Sequence, residues 1–148
     1  MEQEWSVELG DRDCEYSTPM QMPGATEVTI APLVAVVDDD AGVRMSLDGL
    51  VRSLGYRVAL FGSAEAFLAA PAATQSSCVI TDVHMAGMSG ITLTRHLSLS
   101  GASKVIVISA YLDDRLKRQA TAAGAHCFLA KPFSGDALVE CLENALAA

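Results

Sequence analysis

Three aspartates stand in a row at Asp38, Asp39 and Asp40, directly after the apolar run LVAVV (33–37). A single aspartate, Asp82, follows a second apolar run, CVIT (78–81). Ser109 closes a third, KVIVIS (104–109), and Lys131 follows a fourth, CFLA (127–130). Carboxylates crowded together raise one another's pKa unless a cation offsets the repulsion. The candidate donors are oxygens, without a His or Cys cluster, so the ion they call for is a hard one such as Mg²⁺, with Mn²⁺ as a substitute. A carboxylate, a hydroxyl and an ammonium group around such an ion suit phosphoryl chemistry. Aspartate can act as the nucleophile and carry an aspartyl phosphate. The metal and the lysine neutralise charge on the transferring group, and the hydroxyl hydrogen-bonds one of its oxygens.

These residues act together only if the fold gathers them. The apolar runs 33–37, 57–61, 78–81, 104–109 and 127–130 are short and continuous. That pattern marks strands buried on both faces of a parallel sheet. Helical patterns separate them. Val43, Leu47, Leu50, Val51 and Leu54 share one helical face, with Gly55 as the stop. SAEAFLAA begins at Ser63, a predicted N-cap, and ends before Pro71. GITLTRHLSLS (90–100) is closed by Gly101, and LDDRLKRQATAAG (112–124) carries acids in its first turn and Gly124 at its end. The last helix starts at Ser134 and aligns Leu138, Cys141, Leu142, Ala145 and Leu146. Five β-α units predict an α/β fold, a doubly wound five-stranded parallel sheet. In such sheets ligands bind outside the carboxyl ends of the strands. Asp38, Asp39, Asp82, Ser109 and Lys131 are all exit residues of strands.

The 148 residues suffice for one domain with a proper core. The net charge of −8 is unevenly spread. Residues 1–32 hold seven acids against Arg12 alone, and residues 33–148 hold 11 acids and nine bases. Without a basic stripe the chain is a poor binder of phosphate backbones, so no direct nucleic-acid partner is expected. No apolar run reaches the length of a membrane span, and no signal peptide is read. Cys78, Cys127 and Cys141 sit in apolar contexts and read as buried thiols; with Cys14 they form no C-x-x-C pair, which suits a reducing cytoplasm. Pro19, Pro23, Gly24 and Pro32 punctuate residues 1–32, which read as an acidic, flexible leader, or as a docking segment anchored by Trp5. The domain proper is 33–148.

The stretches VVDDD, VITDVHMAGMSG, VIVISA and AGAHCFLAKPF, in this order and spacing, resemble a two-component response-regulator receiver domain over about 33–148. FGSAEAFL resembles most closely the subgroup related to nitrogen-fixation regulators. The resemblance implies a flavodoxin-like (βα)5 fold with strand order 2-1-3-4-5. It implies that Asp82 is the phosphoacceptor and that Asp38 and Asp39 hold Mg²⁺, Asp39 directly and Asp38 largely through water, with the His84 backbone carbonyl as a third ligand. Ser109 matches the switch hydroxyl, Lys131 the phosphate-pairing lysine, and Phe128 the aromatic switch residue. The Lys131–Pro132 peptide matches one that is usually cis. Asp40 reads instead as a charge at the start of the first helix. Ala86 stands where the family usually has proline, which predicts a looser loop. His84 and Tyr111 match positions that tune attack by water, and their bulk predicts a long-lived phosphoryl group.

The implied partners are a sensor histidine kinase or phosphotransfer protein. A second copy or a downstream protein is expected on the face formed by helix 112–124, strand 127–130 and the last helix. The basic turn RLKR (115–118) reads as a solvated face or as part of that surface. Turnover is limited to self phosphotransfer and autodephosphorylation, so the chain is not read as an enzyme. An alternative is the receiver fragment of a DNA-binding transcription regulator; Met1 and the leader favour a complete single-domain protein. A Mg²⁺-dependent phosphatase of the haloacid dehalogenase type fits less well. Its D-x-D-x-[TV] pattern is met only in part, because Asp38 and Asp40 precede Gly42, and the chain lacks room for a cap domain.

Overall fold

The structure, a computed structural model, describes residues 30–101 and 103–147. The readings of the leader, of Trp5 and of Cys14 fall outside them. Among the described residues the order is β1 (Leu33–Val37), α1 (Ala41–Ser53), β2 (Arg57–Phe61), α2 (Ala64–Leu68), α3 (Ala72–Gln75), β3 (Cys78–Asp82), α4 (Gly90–Ser100), β4 (Lys104–Ser109), α5 (Asp114–Ala123), β5 (Cys127–Ala130) and α6 (Gly135–Leu146). The strands form one parallel sheet in the order β2-β1-β3-β4-β5. This is the doubly wound, flavodoxin-like arrangement that the sequence predicts.

Alternation along each strand divides the core in two. Leu33, Ala35 and Val37 point to one face, where Phe67, Leu93, Leu97 and Leu116 of α2, α4 and α5 cover them. Val34 and Val36 point to the other, under Leu47 and Val51 of α1 and Leu138 and Leu142 of α6. Each fully buried side chain of this size contributes about 1.5–3 kcal/mol relative to exposure. Burial on both faces holds for β1 and β3 throughout and for β4 beyond Lys104. β2 and β5 are only partly covered, because each is an edge strand with a neighbour on one side.

The caps follow from side chains that compete for the first free amides of a helix. Asp40 Oδ1 accepts from Gly42 N at 2.8 Å and Val43 N at 3.2 Å. Ser63, Ser89, Asp113 and Ser134 do the same for α2, α4, α5 and α6. Gly101 and Gly124 end α4 and α5 in the left-handed region, at φ 69° and 103°. The short α3 was not foreseen. Pro71 stops α2 yet suits the start of a new turn, where its missing N–H costs nothing.

The reading of Cys127 and Cys141 as thiols is corrected. The two are joined as a disulfide between β5 and α6, with Cα atoms 6.3 Å apart. Both face the α1/α6 side of the sheet, and only the packing of α6 brings them together. The argument for a reducing compartment that rested on free thiols at these positions is thereby removed. Cys78 is a buried free thiol, and burial pushes its pKa up to about 12.

Candidate functional site

Alternation also decides which exit residues meet. Asp38 continues the Val34–Val36 row, Asp82 the Cys78–Ile80 row and Lys131 the Cys127–Leu129 row, all on the α1/α6 side. The ladder persists past the strand ends, since Asp38 N donates to Phe61 O and Lys131 N to Ser109 O. β1 and β3 are neighbours in the sheet although β2 lies between them in sequence. The chain reverses its direction of winding there, and a crevice opens at that switch point. Asp38 follows β1 and Asp82 ends β3, the two strands that meet at that point.

Lys131 Nζ reaches back to 3.0 Å from Asp38 Oδ2 and 3.3 Å from Asp82 Oδ1. Asp38 is fully buried and Asp82 is 6% exposed. Burial pushes the Asp82 carboxyl above its ordinary value, and the Asp38 charge adds to this; Lys131 opposes both without cancelling them. Burial works against the Lys131 ammonium, but its hydrogen bond to Asp38 and the two carboxylate charges outweigh it and raise its pKa. The site therefore holds more negative charge than its lysine neutralises.

Asp38, Asp39 and Asp82 offer carboxylate oxygens within 4.8 Å of one another. A hard divalent cation with oxygen ligands at about 2.0–2.1 Å, its shell completed by water, fits such a set. Burial first, and then the Asp38 charge, raise the Asp82 carboxyl, and a cation at this set would oppose both. Asp40 is not part of the cluster, since its carboxylate caps α1.

Ser109 is fully buried at the end of β4, and its Oγ accepts from Tyr111 N at 3.0 Å. His84 and Tyr111 pack edge to face, ring centroids 5.6 Å apart. Phe128 is half-buried on β5, with Lys117 Nζ 6.0 Å from its ring centroid. The Lys131–Pro132 peptide is cis. Arg115, Lys117 and Arg118 lie on the exposed side of α5, while Leu116 is buried.

Three supporting residues went unnoticed in the sequence. Arg44 Nη1 donates to the Asp38 carbonyl at 2.6 Å and holds the end of β1. Its signal was a cation in the first turn of a helix, where the dipole disfavours one. Glu65 of α2 accepts from Met88 N at 2.9 Å. Gly90 packs so closely on Asp82 that a β-carbon would collide with the Asp82 carbonyl oxygen. No local pattern marks either contact.

Comparison with known proteins gives the family and the fold. Residues 34–143 match the family model of the response regulator receiver domain. The chain is 40% identical over 124 residues to the transcriptional regulatory protein TdiR of Thauera aromatica, covering 83% of this chain and 55% of that protein. It is 37% identical over 114 residues to the transcriptional regulatory protein FixJ of Bradyrhizobium diazoefficiens, covering 76% and 56%. The chain thus spans about half the length of the curated relatives it matches. Among solved structures, the BeF3-activated receiver domain of DrrB, from Thermotoga maritima, superposes with a TM-score of 0.74 at 26% identity, covering 80% of this chain and all of that one. The chain belongs to the receiver-domain family of two-component response regulators, of the nitrogen-fixation-regulator kind.

Proposed function

We propose that residues 33–148 are a phosphorylation-dependent switch and that residues 1–32 are its leader. A carboxylate oxygen of Asp82 attacks the phosphorus of a phosphohistidine on a sensor histidine kinase or phosphotransfer protein. The O–P bond forms, the P–N bond breaks, and the released imidazole takes up a proton. Asp38, Asp39, Asp82 and the His84 carbonyl would hold Mg²⁺, which supplies charge neutralisation for the phosphoryl oxygens. Lys131 pairs with a phosphoryl oxygen, and Ser109 hydrogen-bonds another. The observation that carries this reading is the meeting of Asp38, Asp39 and Asp82 with Lys131 spanning two of them.

The donor approaches past α1. A groove of about 800 Å³ beside the site is lined by Val43, Leu47, Leu50, Lys131, Pro132 and Phe133. Its apolar floor suits the face of a partner helix. After transfer, Ser109 and Lys131 follow the phosphoryl group, and Phe128 repacks. The α5-β5-α6 face then favours a second copy or a downstream protein. A few kcal/mol of preference between two existing states suffices for such a shift. Chemistry ends with hydrolysis of the chain's own acyl phosphate, so turnover of other substrates is not expected. Among the described residues no helix is long and apolar enough to cross a membrane. We place the switch in the cytoplasm, on the side where a kinase meets its nucleotide.

Incubation with Mg²⁺ and a small acyl-phosphate donor or beryllofluoride, followed by mass and oligomer size, tests the proposal. The expected result is one adduct, lost in Asp82→Asn. No adduct, or one that survives Asp82→Asn, overturns it. A second reading is favoured by the length of the relatives named above: the switch would be the receiver portion of a DNA-binding transcription regulator. A native reading frame continuing into a DNA-binding segment would decide for it.

A further inference from the structure

The loop from Val83 to Ser89 joins the phosphoacceptor strand to α4 and carries the His84 carbonyl. Its two ends are firmly held. Val83 N donates to Ile108 O at 3.1 Å and Gly90 N to Val83 O at 3.0 Å. In the middle, Met85 and Met88 pack against the core and the His84 ring packs on Tyr111, but the backbone there has few ties of its own. Residues 84–88 include Ala86 and Gly87, and Gly87 adopts φ 81°. Among the described residues, the one hydrogen bond tying 84–88 to another element is Met88 N to Glu65 Oε2, 2.9 Å across 23 residues.

Glu65 is well placed for that task. Its helix is anchored by Ala64 and Phe67, both fully buried, and Phe67 packs edge-on against Phe61 at 5.4 Å. Ser63 Oγ accepts from Ala66 N at 3.0 Å and sets the start of α2. The carboxylate also lies flat against Gly87, where an added β-carbon would come within 2.6 Å of Oε2. Gly87 suits its positive φ, and a β-carbon there would displace the end of the flexible Glu65 side chain. The bond from Met88 N holds the Glu65 carboxyl below its ordinary value, as a charge-assisted bond should.

We propose that Glu65 is a positioning residue: by strapping the 83–89 loop to α2, it sets where the His84 carbonyl stands relative to Asp38, Asp39 and Asp82. The inference rests on the function proposed above, since it makes α2 part of the cation site. Partners bonded directly to metal ligands commonly change metal affinity when removed; Glu65 acts further out, through the loop, since it bonds Met88, four residues on from His84. Glu65 itself touches neither cation nor phosphoryl group.

The test compares wild type, Glu65→Ala and Glu65→Gln. Alanine suits a helix, so α2 should survive, and glutamine keeps an acceptor oxygen. Mg²⁺ affinity by calorimetry should weaken about 5-fold in Glu65→Ala, less than the roughly 10-fold or more of a partner bonded directly to a ligand, and recover most of the loss in Glu65→Gln. Amide exchange should accelerate at residues 84–88 and stay unchanged in β1, β3 and β4. Mg²⁺ affinity in Glu65→Ala within about twofold of wild type would overturn the inference, against the larger change expected. So would exchange that rises equally across the sheet, the mark of general destabilisation. If wild type binds no Mg²⁺, the proposed function fails. Exchange at 84–88 then still decides whether Glu65 holds the loop, and an unchanged rate overturns the strap.

Discussion

Lys131 and Asp38 are 93 residues apart in sequence and 3.0 Å apart in space. The bond ties the end of β5 to the end of β1 across the two intervening strands, β3 and β4. It also offsets the charge of a fully buried carboxylate. Lys131→Ala removes that cation and leaves Asp38 and Asp82 facing each other. Removing one partner of a buried pair costs about 3 kcal/mol, because the other charge stays behind unpaired. Urea unfolding with a chelator present should show a loss of that size. Added Mg²⁺ should restore part of it by supplying the missing positive charge. No loss, or no response to Mg²⁺, would mean that the carboxylates do not depend on an opposing cation.

The raised Asp82 carboxyl makes a prediction about pH, with a sign that runs against the usual carboxylate. Its folded pKa lies above its unfolded value of 3.8. The folded state therefore binds the proton more tightly, and this contribution to stability is greatest below that value. It is lost as pH rises through the folded pKa. In a chelator near neutral pH the ionised Asp82 is then a net liability, and Asp82→Asn should raise the thermal midpoint. Mg²⁺ should reverse the order of wild type and variant. A lower midpoint for Asp82→Asn in chelator would contradict the assignment of excess negative charge.

Gly90 has no room for a methyl group, because the Asp82 carbonyl fills the space its β-carbon would need. Backbone on both sides of that contact cannot swing away as a flexible side chain could. Gly90→Ala should cost about 2 kcal/mol by overpacking. Urea unfolding measures this directly. Gly49 is the control, with nothing within 4 Å of its added β-carbon. Gly49→Ala should stabilise α1 by up to about 1 kcal/mol.

The edge-to-face pair of His84 and Tyr111 brings together the loops that follow β3 and β4, and Tyr111 is 75% exposed. We expect the pair to slow the approach of water to the acyl phosphate. Single changes to alanine at either position should shorten the lifetime of the phosphorylated protein, and the double change should add little beyond one of them. Loss of label from isolated phosphoprotein gives the rates. A lifetime unchanged in both variants would leave the pair without that role.

Much of the protein was legible in its sequence, for reasons of periodicity and local chemistry. The five strand runs are short and continuous because parallel strands are buried from both sides. Ser63, Ser134, Gly101 and Gly124 mark helix ends because capping is a local competition for backbone groups. The candidate site was legible as a set of strand exits, since a polar residue after an apolar run has few other reasons to be there. Asp40 could be separated from Asp38 and Asp39 for the same local reason.

What the sequence could not decide was everything that depends on distance between elements. Phase along each strand allowed Asp38, Asp82 and Lys131 to share a side, and the family resemblance implied the order β2-β1-β3-β4-β5, but only the structure shows the distances at which that order sets them. Glu65 reaches Met88, Arg44 reaches the Asp38 carbonyl, and Gly90 closes on Asp82 through contacts that leave no periodic trace. Cys127 and Cys141 carried no spacing motif, and their pairing followed from how α6 lies on β5. Local preferences act over a few residues, whereas these contacts are settled by the packing of helices on a twisted sheet. The sequence by itself therefore determined the elements and the chemistry available, and the tertiary structure decided which groups could use it together.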